Sequence, residues 1–154
     1  MHSLAEHLRR KETATIPEIA FSEWVPWEYK ECPEGRHPGV YLLSRFDITA
    51  PKQVDPTDRA ILYIGETVDQ TLSKRFYQFH RSAFLRKNSH SGGWTFSDKF
   101  CGGIPSDPPS WLHVSMFAVT LKEPYLSAFI RLVERKVLWD FVRRWDAYPE
   151  CSCK

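Results

Sequence analysis

Two short apolar runs open the patterned part of the chain: GVYLLSRF over Gly39–Phe46 and AILYIG over Ala60–Gly65. Both are rich in β-branched and aromatic residues, so both predict strands, and their spacing predicts an antiparallel pair joined by a long polar loop. From Gln70 to Lys87 the period changes. Leu72, Phe76, Phe79 and Ala83 recur at helical spacing and form one apolar stripe. WLHVSMFAVTL over Trp111–Leu121 alternates Leu112, Val114 and Met116 with His113 and Ser115, which predicts a third strand. A long helix is expected over Pro124–Trp145, its broad buried face built from Leu126, Phe129, Ile130, Val133, Val137, Leu138, Phe141 and Trp145. The segment 88–110 is dense in Gly, Pro and Ser and reads as one long loop. Upstream, Ser3 is placed to cap a short helix over Leu4–Lys11. Residues 13–38 carry Pro17, Pro26, Pro33 and Pro38 among Phe21, Trp24, Trp27 and Tyr29. Prolines argue against a regular element there, and the aromatics argue that the segment packs as an extended arm. The organisation expected is one domain: a helix and arm over residues 1–38 packed on a main unit over 39–154.

Composition narrows the class. The chain has 154 residues, 42% hydrophobic and 14% aromatic, enough for a single sizeable core. Its apolar runs are too short to span a bilayer, so no membrane partner is expected. The first residues contain no apolar stretch of the secretory kind, which leads to the expectation of a cytoplasmic protein. Free thiols are the default for Cys32, Cys101, Cys151 and Cys153 in that setting. The formal net charge of +2 does not by itself imply a polyanion partner. Its distribution is more informative, because Lys74, Arg75, Arg81, Arg86 and Lys87 crowd one helical stretch. Such a run is either a solvated face or a phosphate-binding edge.

Glu134 falls inside the apolar stripe of the last helix. A carboxylate there needs a partner, either a basic side chain in a core ion pair or a metal ion.

GVY at Gly39–Tyr41 followed by YIG at Tyr63–Gly65, on two neighbouring strands, resembles the paired motif of the GIY-YIG nucleases. Arg75 on the next helix and Glu134 on a later one follow in that family's order. The resemblance spans about Gly39–Pro149. It implies an α/β (α+β) fold in which a small three-stranded antiparallel sheet is flanked by helices. It also implies hydrolysis of DNA phosphodiester bonds by an endonuclease, of restriction or structure-specific type, using Mg²⁺ or Mn²⁺. The alternative is a catalytically inactive nucleic-acid-binding module that keeps the fold. Carried over residue by residue, the resemblance makes Glu134 the metal ligand and Arg75 the group that steadies the phosphate. Tyr41 takes a proton from water, with Tyr63 supporting it. His80 is the candidate proton shuttle, one residue beyond the position where the family often has a histidine. Lys74, Arg81, Arg86, Lys87 and His90 are the expected substrate contacts. The family's asparagine after the last helix has no counterpart, and Cys151 or Ser152 stands about where it would be. Oligomeric state is not legible in the sequence.

Overall fold

The computed structural model describes Leu4 and residues 16–152. Apart from Leu4, the helix expected over Leu4–Lys11 lies outside the described residues, as does Cys153. The described residues form an α+β fold around one antiparallel sheet. Its strands are β1 (Val25–Pro26), β2 (Gly39–Arg45), β3 (Ile61–Thr67) and β4 (Leu112–Ala118), ordered β1–β4–β2–β3. The helices are α1 (Leu72–Ala83), α2 (Ser91–Phe100) and α3 (Tyr125–Trp145).

Strand β2 is buried at every position from Gly39 to Ser44, because both faces of the sheet are covered. Tyr41 and Leu43 join Leu72, Phe76 and Phe79 of α1 and Phe96 of α2 in one core. Val40 and Leu42 join Ile130, Val133, Val137 and Phe141 of α3 in the other. The stripe expected for α1 is the face it buries, and Thr71 caps that helix by accepting from Lys74 N–H at 3.2 Å.

Two expectations are corrected. The sheet has four strands, not three. Ser22 N–H donates to Met116 O at 2.8 Å, and the arm then pairs Val25 with Val114 and Pro26 with His113. Proline is tolerated there because β1 is an edge strand, where a missing donor costs no ladder bond. The segment 88–110 is not all loop, since it contains α2, which packs beside α1 through Phe96. Gly93 makes that approach possible: a Cβ there would come within 2.8 Å of Phe79 O.

A bulge interrupts the β2–β3 ladder, where Leu43 pairs with Tyr63 but Ser44 pairs with Ile61. The extra residue, Leu62, offers its carbonyl to Cys151 N–H at 2.8 Å. That bond ties the end of the described chain to β3.

Candidate active site

Register places Gly65 directly opposite Tyr41. The missing side chain lets the Tyr41 and Tyr63 rings meet, with centroids 5.8 Å apart. A Cβ on Gly65 would stand 2.5 Å from Tyr41 Oη and 2.6 Å from Tyr63 Cε1. Gly92 does the same on the other edge of the Tyr63 ring, where a Cβ would lie 2.5 Å from Cε2. Substituting Gly65→Ala therefore forces both phenols to move. We expect a loss of about 1–3 kcal/mol in urea unfolding, the usual cost of overpacking. An unchanged unfolding midpoint would mean that the rings yield freely.

Beside this pair lies a cavity of about 180 Å³, lined by Tyr63, Glu66, Arg75, Glu134 and Ser152 among others. Strand β3 supplies Tyr63 and Glu66, α1 supplies Arg75, α3 supplies Glu134, and the chain end supplies Ser152. Three of the residues expected in the site, Tyr63, Arg75 and Glu134, thus meet at one cavity. Tyr41 does not line it and is 0% exposed. Burial raises the Tyr41 phenol well above its ordinary range, Tyr63 adds to the rise, and the Arg75 guanidinium opposes it.

Arg75 is held from one side. Its Nη1 donates to Gln78 Oε1 at 3.0 Å, while Gln78 and Gln70 exchange hydrogen bonds of 2.9 and 3.2 Å. Arg75 Nε is buried and has no hydrogen-bond partner among the described residues, and the same is true of Glu66 Oε2 and Ser152 Oγ. Buried polar atoms without partners are costly, and these three belong to residues that line the cavity. Ser152 stands about where the resemblance would put the family's asparagine, whereas Glu66 belongs to no motif in the sequence. The strand period offers a signal for Glu66, because it stands one position after Gly65 and pairs with Val40, whose side chain packs on the α3 side of the sheet.

His90, expected as a substrate contact from a loop, is instead 4% exposed and is the N-cap of α2. Its Nδ1 accepts from Gly93 N–H at 3.1 Å, and its Nε2 stands 2.8 Å from Tyr41 Oη. The imidazole is pushed down to about 3, first by burial and second by Arg75. The unfolded chain therefore binds the extra proton near 6.5 and the folded chain only near 3. Stability from this group is whole above pH 6.5 and is lost as pH falls toward 3. Between pH 7 and pH 4 the loss should be about 3 kcal/mol. Urea unfolding at the two pH values should show that His90→Asn weakens the dependence; an equal fall in both proteins would contradict it.

His80 lies elsewhere. Its Nδ1 faces Trp27 Nε1 at 3.5 Å and its ring packs on Phe84 at 5.1 Å, away from the cavity lining. Burial first and Lys30 second lower its pKa. The remaining basic candidates are at the surface or partly so. Arg81 lies over the Tyr77 ring at 5.8 Å. Arg86 stacks on Trp94 at 3.6 Å and pairs with Asp98 at 2.8 Å, and Lys74 and Lys87 are exposed.

Comparison with protein-family models, with curated proteins and with solved structures returned no match for this chain. No helix among the described residues is long and apolar enough to cross a membrane.

Proposed function

We propose that the protein is a divalent-metal-dependent endonuclease of GIY-YIG type that hydrolyses phosphodiester bonds in DNA. The observation that carries this reading is the convergence of Tyr63, Arg75 and Glu134 on one cavity. These residues come from three elements, a strand and two helices, the second helix lying well downstream of the first. Their order was the basis of the resemblance, and their meeting gives that order a spatial meaning.

The donor chemistry fits a hard cation. Glu134 and Glu66 line the same cavity, and Glu66 Oε2 has no partner among the described residues. No group of three or more His, Cys, Asp or Glu side chains converges among the described residues. One or two carboxylates with water and phosphate oxygens are the ordinary ligands of Mg²⁺, with Mn²⁺ as its close substitute. Glu134, with Glu66 beside it, would hold the ion. When bound, the ion supplies charge stabilisation to the phosphate and its leaving oxygen.

The protein's own groups do the rest. Arg75 presents a fixed planar cation at the cavity, suited to a phosphate oxygen. Gln78 keeps the guanidinium from swinging away. A phenol at the cavity wall orients water for attack. Outside the cavity, Arg81 over Tyr77 and Arg86 over Trp94 are cation–aromatic pairs suited to phosphates and unstacked bases.

The test is a cleavage panel of supercoiled, linear, single-stranded and branched DNA with Mg²⁺ or Mn²⁺. Cutting that depends on the cation supports the proposal, and the preferred form separates a restriction-type from a structure-specific enzyme. Salt-sensitive binding without cutting of any form would favour the non-catalytic binding module.

A further inference from the structure

The hydrogen bonds behind the cavity have a direction. Gly93 N–H donates to His90 Nδ1, so that nitrogen holds a lone pair and no proton. A neutral imidazole carries one ring proton, which must then sit on Nε2. Nε2 faces Tyr41 Oη at 2.8 Å, so His90 is the donor and the Tyr41 oxygen is the acceptor. Tyr41 must turn its own hydroxyl proton toward another neighbour. The groups facing the two phenols are Tyr41 on β2, Tyr63 and Glu66 on β3, Arg75 on α1, His90 before α2, Glu134 on α3 and Cys151 in the tail. Arg75 has only protons to offer. The phenol packed against Tyr41 is Tyr63, its ring centroid 5.8 Å away across the gap left by Gly65. The donors therefore run outward, from Gly93 through His90 to Tyr41, with the Tyr63 phenol packed beyond them. Every link supports negative charge on the oxygen ahead of it. Tyr63 is the phenol that lines the cavity, whereas Tyr41 is wholly enclosed.

We propose that Tyr63, not Tyr41, is the phenol that takes the proton of the attacking water, with Tyr41 and His90 acting as positioning residues that hold its oxygen ready to carry charge. This rests on the nuclease reading. Tyr63 first gives up its hydroxyl proton to solvent through the cavity. An O–H bond of the attacking water then breaks, and its proton goes to Tyr63 Oη. The water oxygen's electron pair forms a bond to phosphorus. The leaving oxygen departs with the pair from its own P–O bond and is protonated by solvent. The wiring also explains why a histidine is not needed one turn after Arg75, where Phe79 stands. His90 reaches the phenols from a different element.

The direction of the chain is tested without any substrate. Long-range ¹H–¹⁵N correlation spectra of the whole protein at pH 7 should show His90 as the Nε2–H tautomer, and the Nδ1–H tautomer would overturn the proposal. The role of Tyr63 is tested by rate against pH on cleavable DNA. Tyr63→Phe should lose about 10³-fold, within the usual range for acid–base catalysis, and should lose the rise of rate with pH. Tyr41→Phe and His90→Asn should lose about tenfold, keeping the rise but moving its midpoint upward. Asparagine at 90 still accepts from Gly93 N–H as an N-cap, so it removes the donor to Tyr41 and spares α2. The opposite ranking, in which Tyr41→Phe abolishes the rise and Tyr63→Phe keeps it, refutes the assignment. A wild-type protein that cuts no DNA yet shows the Nε2–H tautomer sinks the nuclease reading and the proton role of Tyr63 together, while leaving the hydrogen-bond direction established.

Discussion

Replacing Arg75 with alanine should lower the rate of DNA cleavage at saturating substrate by about 10²- to 10³-fold, the effect of removing one fixed donor from a developing oxyanion. Binding should weaken far less, because Arg75 is only one of several basic groups and the exposed Lys74 and Lys87 lie outside the cavity. The geometry explains why the loss falls on the rate. Gln78, itself braced by Gln70, fixes one edge of the guanidinium, leaving Nε buried with no partner among the described residues. A guanidinium already held at the cavity needs little rearrangement when charge builds on the phosphate. Arg75→Lys should recover only part of the rate, since an ammonium cannot donate to Gln78 and to a phosphate oxygen along two fixed directions. Single-turnover cleavage, alongside DNA affinity at one salt concentration, separates the effects. A rate within threefold of wild type in Arg75→Ala would remove this residue from the mechanism.

The parts of this site that were legible in the sequence are those that repeat locally. The β2–β3 pair showed itself through its apolar runs, and α1 and α3 through their stripes. Tyr63, Arg75 and Glu134 could be placed because each sits on one of those elements. The rest depends on contacts between distant segments. Strand β1 is two residues long and includes Pro26, so it carries no period and becomes a strand only by meeting β4. Helix α2 begins Ser91-Gly92-Gly93, which reads as a loop because glycine is a poor helix former. Those glycines are there for packing, since a Cβ at either position would collide with the Tyr63 ring or with α1.

The histidines show the same division. His80 is a candidate only through the resemblance, one residue beyond the position where the family often has a histidine. Its neighbours Trp27 and Phe84 decide otherwise, and Trp27 arrives from the arm. His90 stands in a polar stretch with no period at all. It reaches Tyr41 only because α2 folds back against α1, bringing its N-cap under the β2–β3 pair. Gly92 and Gly93 permit that approach, but no local period around His90 announces it. The chemistry nearest the phenols is thus specified by tertiary packing, while the residues facing the cavity are specified by strand and helix period.

The largest loss is expected from Glu134→Gln. Glutamine keeps the shape and volume of the side chain on a half-buried turn of α3 between Ile130 and Val137, so the fold should survive the change. What changes is one negative charge at the cavity. A hard divalent cation depends on anionic oxygen, and an amide oxygen is a much weaker ligand for it. Cleavage should fall by more than about 10³-fold, since the ion's share of transition-state charge stabilisation amounts to several kcal/mol. Glu66→Gln should be milder, because Glu134 would still anchor the ion, and should appear as a higher Mg²⁺ concentration for half-maximal rate. Manganese binding followed by electron paramagnetic resonance gives a readout independent of activity: Glu134→Gln should lose the bound signal and Glu66→Gln should weaken it. A Glu134→Gln protein that binds manganese as tightly as wild type would make Glu134 a structural carboxylate, and the cavity would need another ligand or another chemistry.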